Sequence, residues 1–223
     1  MSDYYAIIVA GGSGNRMNSE IPKQFLLLNG LPILMHTITS FYQNETKPHI
    51  ILVLAKADEE RWQNLIKQHQ FDIPHQIVIG GKERFHSVQN GLNNISNKNA
   101  IIAIHDAVRP LVTQKTITNC YLNALKNGNA IAAIPSKDSV RSLINQKSTA
   151  LIRSEIYLVQ TPQTFTYEQL NTAYNQKFES FFTDDASVVE KAGFNINLEN
   201  GDEFNFKITF KEDLILAEAL LKA

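Results

Sequence analysis

An apolar run, Ala6-Ile7-Ile8-Val9-Ala10, feeds Gly11-Gly12-Ser13-Gly14-Asn15-Arg16-Met17, and Pro22-Lys23-Gln24 follows shortly after. A buried strand opening into a glycine-rich loop with two separated cations is a means of gripping polyphosphate. Without Cβ atoms the backbone comes close and points successive N–H groups at anionic oxygens. Arg16 and Lys23 then add full charges. A P-loop is excluded, because no Lys-Ser/Thr pair follows the glycines. A dinucleotide fingerprint fails too: Met17 stands where the third glycine belongs, and Glu20 comes too early for the ribose acid. The plain alternative is an ordinary βα turn made of glycines, against which the strict order of strand, glycines, Arg and Pro-Lys argues.

A second constellation is His105-Asp106-Ala107-Val108-Arg109-Pro110, at the end of an apolar run from Ala100 to Ile104. An acid and a base three residues apart at a strand's carboxyl edge face a ligand crevice, and Pro110 stiffens the exit. Asp there can hold a sugar hydroxyl or a metal ion, and Arg a phosphate in bidentate fashion. A local Asp106/Arg109 salt bridge is the simpler reading. Gly80-Gly81-Lys82-Glu83-Arg84, with Ser87 opening the next helix, repeats the strand-to-glycine logic. Gly81 can bring backbone to a base edge and the Ser87 hydroxyl can donate and accept, although a turn and helix capping suffice on their own. Thr183-Asp184-Asp185-Ala186-Ser187 reads as a capped helix start. Lys207, within Asn205-Phe206-Lys207-Ile208-Thr209, is a cation in an otherwise apolar stretch: either an exposed edge residue or a third phosphate-facing charge.

The elements that must position these residues follow from periodicity. At 223 residues and 43% apolar the chain can bury one sizeable core, and the reading is a single α/β domain over 1–223. Strands are predicted at His49–Leu54, Gln76–Ile79, Ala100–Ile104, Ala130–Ile134 and finally Phe206–Thr209. Helices are predicted from near Pro32, over about Asp58–His69 and Phe85–Ile95, from Thr113 to a stop at Gly128, from Thr166 with a Thr166/Gln169 capping box, over about Asp185–Ala192 with Gly193 as stop, and at the C-terminus. Strands that are apolar throughout, separated by helices, imply a mostly parallel sheet with helices on both faces. Ligands bind such sheets beyond the carboxyl ends of the strands. A polar stretch, about 136–160, breaks the rhythm with two β-like pieces, Val140–Leu143 and Ala150–Ile152. It reads as a β-hairpin arm, with Arg153 and Gln160-Thr161-Pro162-Gln163 flanking its return. A hairpin too small for a core of its own is stable when packed on another subunit, which implies a homodimer.

Composition limits the partners. The net charge is −1 with no basic block, so nucleic acid is not expected. The apolar runs are of strand length and no basic n-region opens the chain, so neither a membrane nor a secretory signal is expected. One cysteine, Cys120, suits a reducing cytoplasm and reads as a small core residue. The six histidines form no i,i+4 pair that would suggest zinc.

Taken together these motifs resemble the 2-C-methyl-D-erythritol 4-phosphate cytidylyltransferases, nucleotidyltransferases of isoprenoid precursor synthesis. The resemblance runs through the glycine loop, Pro22-Lys23-Gln24, Gly80 to Ser87, His105 to Pro110, Arg153-Ser154, Gln160 to Gln163, Thr183 to Ser187 and Lys207-Ile208-Thr209, nearly the whole length. It implies a Rossmann-like nucleotidyltransferase fold with a dimerisation arm, and cytidylyl transfer from CTP with release of pyrophosphate. It implies Arg16 and Lys23 as transition-state stabilisers, and Arg153 and Lys207 as the residues that position the attacking phosphate. Ala10, Gly11, Gly12, Ser13 and Gly14, with Gly81, Ser87 and Asp106, would hold the nucleotide. Asp106, Arg109, Ser139, Arg153, Thr161, Thr183 and Lys207 would line the polyol side, some across the dimer. Mg²⁺ would bridge phosphate oxygens with few or no protein ligands. The chain departs from the family at Ser139, where Thr is frequent, at Ala150-Leu151-Ile152, where Val-Asp commonly precedes the Arg, and at Lys82, a position often acidic. Ribitol-5-phosphate cytidylyltransferases share several motifs, but Arg153-Ser154 and Tyr157-Leu158-Val159 favour methylerythritol phosphate. A non-catalytic nucleotide sensor of the same fold would have lost Arg16, Lys23 or Lys207, and all three are present.

Overall fold

The computed structural model describes residues 3–11 and 21–222. In chain order the strands are β1 (Tyr4–Ala10), β2 (Leu27–Leu28), β3 (Leu31–Pro32), β4 (His49–Leu54), β5 (Gln76–Ile79), β6 (Ile101–Asp106), β7 (Asn129–Pro135), β8 (Arg141–Ile144), β9 (Lys147–Ala150), β10 (Tyr157–Thr166) and β11 (Leu198–Asn200). The helices are α1 (Ile33–Tyr42), α2 (Glu59–Gln68), α3 (Arg84–Leu92), α4 (Gln114–Asn127), α5 (Tyr167–Tyr174), α6 (Asp185–Lys191) and α7 (Lys211–Leu220). Seven strands form one sheet in the order β11-β7-β10-β6-β1-β4-β5. All pairings are parallel except those of β10, which runs antiparallel to both β6 and β7.

Alternation of side chains builds two cores from the same strands. Ala6, Ile8 and Ala10 of β1 face α1, α2 and α4 with Leu52, Leu54 and Ala103, around Leu34, Trp62 and Tyr121. Ile7, Ile51, Val53 and Ile102 face α3, α5 and α6 on the other side, against Phe85, Leu170 and Val189. Helices thus cover both faces of an α/β sheet, as the apolar strands require. Among the described residues no helix is long and apolar enough to cross a membrane.

The chain passes from β1 outward to β4 and β5, then returns to the other side of β1 as β6. The order of the parallel strands therefore reverses between β1 and β6, and in such sheets ligands bind beyond the carboxyl ends of the strands at that point. Val9 pairs with Asp106, and Ala107 N–H donates to the Val9 carbonyl (3.1 Å), so the start of the glycine loop and the Asp106 loop leave the sheet side by side.

Four expectations need correction. The second arm strand is Lys147–Ala150, earlier than Ala150–Ile152, because Asn145 and Gln146 both take positive φ (47° and 63°). That two-residue hairpin turn fixes the register from Ile144↔Lys147 to Arg141↔Ala150. The arm's return is longer in strand than expected: Tyr157–Thr166 enters the main sheet, with a register shift between Val159 and Gln163. The stretch Phe206–Thr209 is extended but not a strand; Ile208 N–H donates to the Val108 carbonyl (2.9 Å), and the last strand of the sheet is Leu198–Asn200. Finally, the Thr166 hydroxyl accepts from Gln169 N–H, but the Gln169 side chain accepts from Asn129 Nδ2 (2.9 Å), leaving only half a capping box. Thr113 as cap and Gly128 as stop of α4 stand as read, and Cys120 is buried, its thiol pushed up to about 12 by burial.

Candidate functional site

Asp106, the last residue of β6, gathers three cations. Its Oδ2 lies 3.0 Å from Lys207 Nζ and 3.2 Å from Arg109 Nε, and its Oδ1 lies 3.8 Å from Arg84 Nε. Burial by itself would raise the carboxyl's pKa, but Lys207, Arg84 and Arg109 outweigh it and hold Asp106 well below the usual carboxylate range. The expected local Asp106/Arg109 pair is present as one part of this larger cluster. Arg109 also donates through Nη1 to the Asn205 carbonyl (2.7 Å). Lys207 comes from the extended stretch that Ile208 pins to the Asp106 loop, and its side chain stays 39% exposed. A cation held by a carboxylate yet open to solvent can transfer to an incoming phosphate.

A buried relay sets the loop that carries Asp106. His105 is fully buried against Phe41, and burial lowers its pKa to about 4, so the ring is neutral with one N–H. Nε2 sits 3.1 Å from the Arg109 carbonyl, which can only accept, so Nε2 carries the proton. Nδ1 then accepts from the Thr161 hydroxyl (3.0 Å), which itself accepts from Asp106 N–H (3.1 Å). The Thr161 hydroxyl, expected on the polyol side, thus makes one accepted and one donated hydrogen bond within the protein. Asn205, fully buried, donates to the Thr161 carbonyl (2.8 Å) and to Gln160 Oε1 (3.2 Å), tying β10 to the Lys207 stretch.

On the β1 side, Ala10 ends the strand and Gly11 opens the loop; Gly12, Ser13, Gly14 and Arg16 lie outside the described residues. Lys23 opens a single 3-10 turn, Lys23–Phe25, and the buried Gln24 amide donates to the Ala10 carbonyl (2.9 Å), so the lysine turn is anchored on the end of β1. Two strands over, Gly80 N–H donates to the Leu54 carbonyl (2.7 Å). Gly81 N–H donates to the Ser87 hydroxyl (3.1 Å), which donates to the Glu83 carbonyl (3.1 Å). A Cβ on Gly81 would meet His86 Cβ at 2.4 Å, so only glycine fits this turn.

Sequence reasoning gave no role to Arg84 or Asp185, which form the strongest ion pair here. The Arg84 guanidinium donates to both oxygens of the fully buried Asp185 at 2.7 Å each, and Tyr174 OH donates to Asp185 Oδ1 (2.6 Å). The only signal was an acid in the first turn of a capped helix. The capping reading of Thr183 to Ser187 holds: Asp184 caps α6 in a capping box and also accepts from Gln163 Nε2 (2.9 Å). Thr183 is exposed one residue before that cap. Ser139 and Arg153 are exposed on the arm, where Arg153 donates to the Lys137 carbonyl (3.2 Å). The fold of one chain therefore joins Asp106, Arg109, Lys207 and Arg84, and carries Ser139 and Arg153 on a separate projection.

Among the described residues no three His, Cys, Asp or Glu side chains form a metal site. With three cations around it, Asp106 is a poor free ligand as well. The described residues therefore offer no carboxylate cage for a divalent cation, and Asp106 is committed to its three cations.

The family model for 2-C-methyl-D-erythritol 4-phosphate cytidylyltransferase matches residues 4–223. The chain is 48% identical over 222 residues to the enzyme of that name from Azobacteroides pseudotrichonymphae, covering 99% of this chain and 100% of the relative. It is 47% identical over 216 residues to the one from Bacteroides fragilis, covering 97% and 98%. The solved structure of the Francisella tularensis enzyme superposes with a TM-score of 0.79 at 31% identity, covering 98% and 99%. That of the 4-diphosphocytidyl-2C-methyl-D-erythritol synthase from Anaerococcus prevotii gives 0.85 at 26%, covering 100% and 97%. Similarity of this breadth, on a fold whose strand-order reversal sets the Asp106 cluster beside the end of β1, means that the chain belongs to the 2-C-methyl-D-erythritol 4-phosphate cytidylyltransferase family.

Proposed function

We propose that this protein transfers the cytidylyl group of CTP to 2-C-methyl-D-erythritol 4-phosphate, giving 4-diphosphocytidyl-2-C-methyl-D-erythritol and pyrophosphate. The full-length family match carries this reading. An oxygen of the substrate phosphate attacks the α-phosphorus of CTP; that P–O bond forms as the bond to the β-phosphate bridging oxygen breaks, and the electron pair leaves on pyrophosphate. No protein nucleophile takes part, so the protein contributes alignment and charge. Arg16 and Lys23 stabilise charge building on the α-phosphate. Lys207 turns from Asp106 to the attacking phosphate, and Arg109 stays on Asp106 and the Asn205 carbonyl to hold the loop. Ala10 to Gly14, with Gly81 and Ser87, would hold the nucleotide. Mg²⁺, if carried on the CTP phosphates, would supply charge neutralisation there with few or no protein ligands. The active form is a cytoplasmic homodimer in which Ser139, Arg153 and Thr183 complete the polyol side, Arg153 from the partner's arm.

Purified protein given CTP, Mg²⁺ and either methylerythritol phosphate or ribitol 5-phosphate is expected to release pyrophosphate only with the first. Turnover of ribitol 5-phosphate alone would reassign the substrate, and turnover of neither would remove the enzyme class.

A further inference from the structure

Asp106 uses its two oxygens unequally. Oδ2 takes both Arg109 and Lys207, whereas Oδ1 accepts no hydrogen bond from the described residues, and Arg84 comes no closer to Asp106 than Nε at 3.8 Å from Oδ1. A guanidinium has ample donors to close that gap, and Coulomb attraction favours closing it. What prevents it is on the far side. Both terminal nitrogens of Arg84 are taken at 2.7 Å by Asp185, and Asp185 is itself fixed by burial and by Tyr174 OH at 2.6 Å. Tyr174 in turn stacks on Phe85, the residue after Arg84, with ring centroids 4.7 Å apart. Arg84 opens α3 beside the Gly80-Gly81 turn, and Asp185 opens α6 beside Thr183, so the pair also ties the starts of the two helices together.

From this geometry we infer that Asp185 is a positioning residue: by gripping Arg84 on its far side it keeps the guanidinium off Asp106 and leaves Oδ1 as the acceptor for a substrate hydroxyl. This inference rests on the proposed reaction only for which molecules bring hydroxyls. Both do, CTP through its ribose and the acceptor through its polyol, and the test separates them.

Asp185→Asn keeps the shape and removes the charge that holds Arg84. Dissociation constants for CTP, 2′-deoxy-CTP and methylerythritol phosphate are measured separately by titration calorimetry, with KM and kcat beside them. One hydroxyl-bearing ligand is expected to bind about tenfold or more weakly with its KM rising in step, while kcat stays within about threefold. If the hydroxyl is the ribose 2′-OH, CTP weakens and 2′-deoxy-CTP does not. The double variant Arg84→Gln/Asp185→Asn removes the group that would collapse onto Asp106, and it should restore that affinity to within about threefold of wild type; removing both partners of a buried pair also spares the cost of leaving one unpaired. A merely structural pair would also recover stability in the double variant, but its single variant would weaken every ligand alike and lower kcat beside KM, so the ligand-specific loss separates the two readings. Folded Asp185→Asn protein that binds every ligand as wild type does, or a double variant without rescue, overturns the inference. Should Asp185→Asn fail to fold, Tyr174→Phe carries the test: loss of one hydrogen bond to Asp185 should weaken the same ligand by about threefold, and no change would overturn the inference. Wild-type turnover judges the reaction separately, since the comparison of dissociation constants does not depend on it.

Discussion

His105 shows how a residue away from the chemistry can govern it. Its neutral ring holds the Arg109 carbonyl on one nitrogen and the Thr161 hydroxyl on the other, and so fixes both ends of the turn that presents Asp106. A proton on Nδ1 would abolish the acceptor that Thr161 needs. Burial lowers the folded-state pKa to about 4 from an unfolded value near 6.5. Between these values the unfolded chain binds the proton and the native state does not, so stability is fully present above about pH 6.5 and falls as pH drops toward 4, by about 3 kcal/mol in total. His75, also lowered chiefly by burial, adds to the same window, so the contribution of His105 is read by comparison with a variant. Urea unfolding of His105→Gln at pH 7 and pH 4.5 should show a smaller loss of stability on acidification than wild type, by about 2 kcal/mol or more. Equal losses would mean that His105 is charged in the native state and that the relay is drawn wrongly.

At the scale of elements, α3 matters most to the site, for it carries Arg84 and Ser87 on a single rigid piece. It lies so close to the sheet that a Cβ on Gly91 would meet Ile7 Cγ2 at 2.9 Å and Val53 Cγ2 at 3.2 Å. Alanine there gains helix propensity of up to about 1 kcal/mol, but overpacking a filled core costs about 1–3 kcal/mol and forces the helix outward. Gly91→Ala should therefore lower stability in urea and raise KM for CTP together, since Ser87 and Arg84 move with the helix; a variant as stable as wild type with unchanged KM would show that the sheet yields instead. How much of this was legible follows from where the information resides. The apolar runs of β1, β4, β5, β6 and β7 and the Thr113 and Gly128 punctuation announce themselves locally, and they were read nearly to the residue. β11 has no apolar run, and its position beside β7 is framed by Asn129, whose side chain meets the Asn195 carbonyl and Asn197 N–H. Phe206 to Thr209 alternates like a strand, because Ile208 is buried, but it finds only a loop to pair with. In the site, Lys207 stood out as a charge among apolar neighbours, and Asp106 as an acid at a strand end. Arg84 and Asp185 are 101 residues apart, and nothing local in either segment names its partner.

The whole molecule leaves its arm uncovered. Leu143 and Ile144 at the tip of the β8–β9 hairpin are 70% and 67% exposed, and Ile152, Leu158 and Val159 extend that apolar surface toward its base. An isolated two-stranded hairpin is marginal in water, and a surface of this kind is stabilised when a second copy covers it. Arg153 sits on this hairpin arm and, among the described residues, its side chain bonds the Lys137 carbonyl, while the cation cluster that would share its substrate stays at the end of β6. If the arm crosses to the partner, one active site is built from the Lys207 of one subunit and the Arg153 of the other. That arrangement has a consequence that a one-chain site lacks. Lys207→Ala and Arg153→Ala proteins, each nearly inactive alone, should regain activity when mixed and allowed to exchange subunits, because each heterodimer contains one site with both residues intact. With free exchange at equal amounts, half the dimers are mixed and half their sites are whole, so pyrophosphate release should reach about a quarter of the wild-type rate. No recovery, in a mixture whose subunit exchange is verified by mass-tagged chains, would place Arg153 in the site of its own chain or outside the reaction.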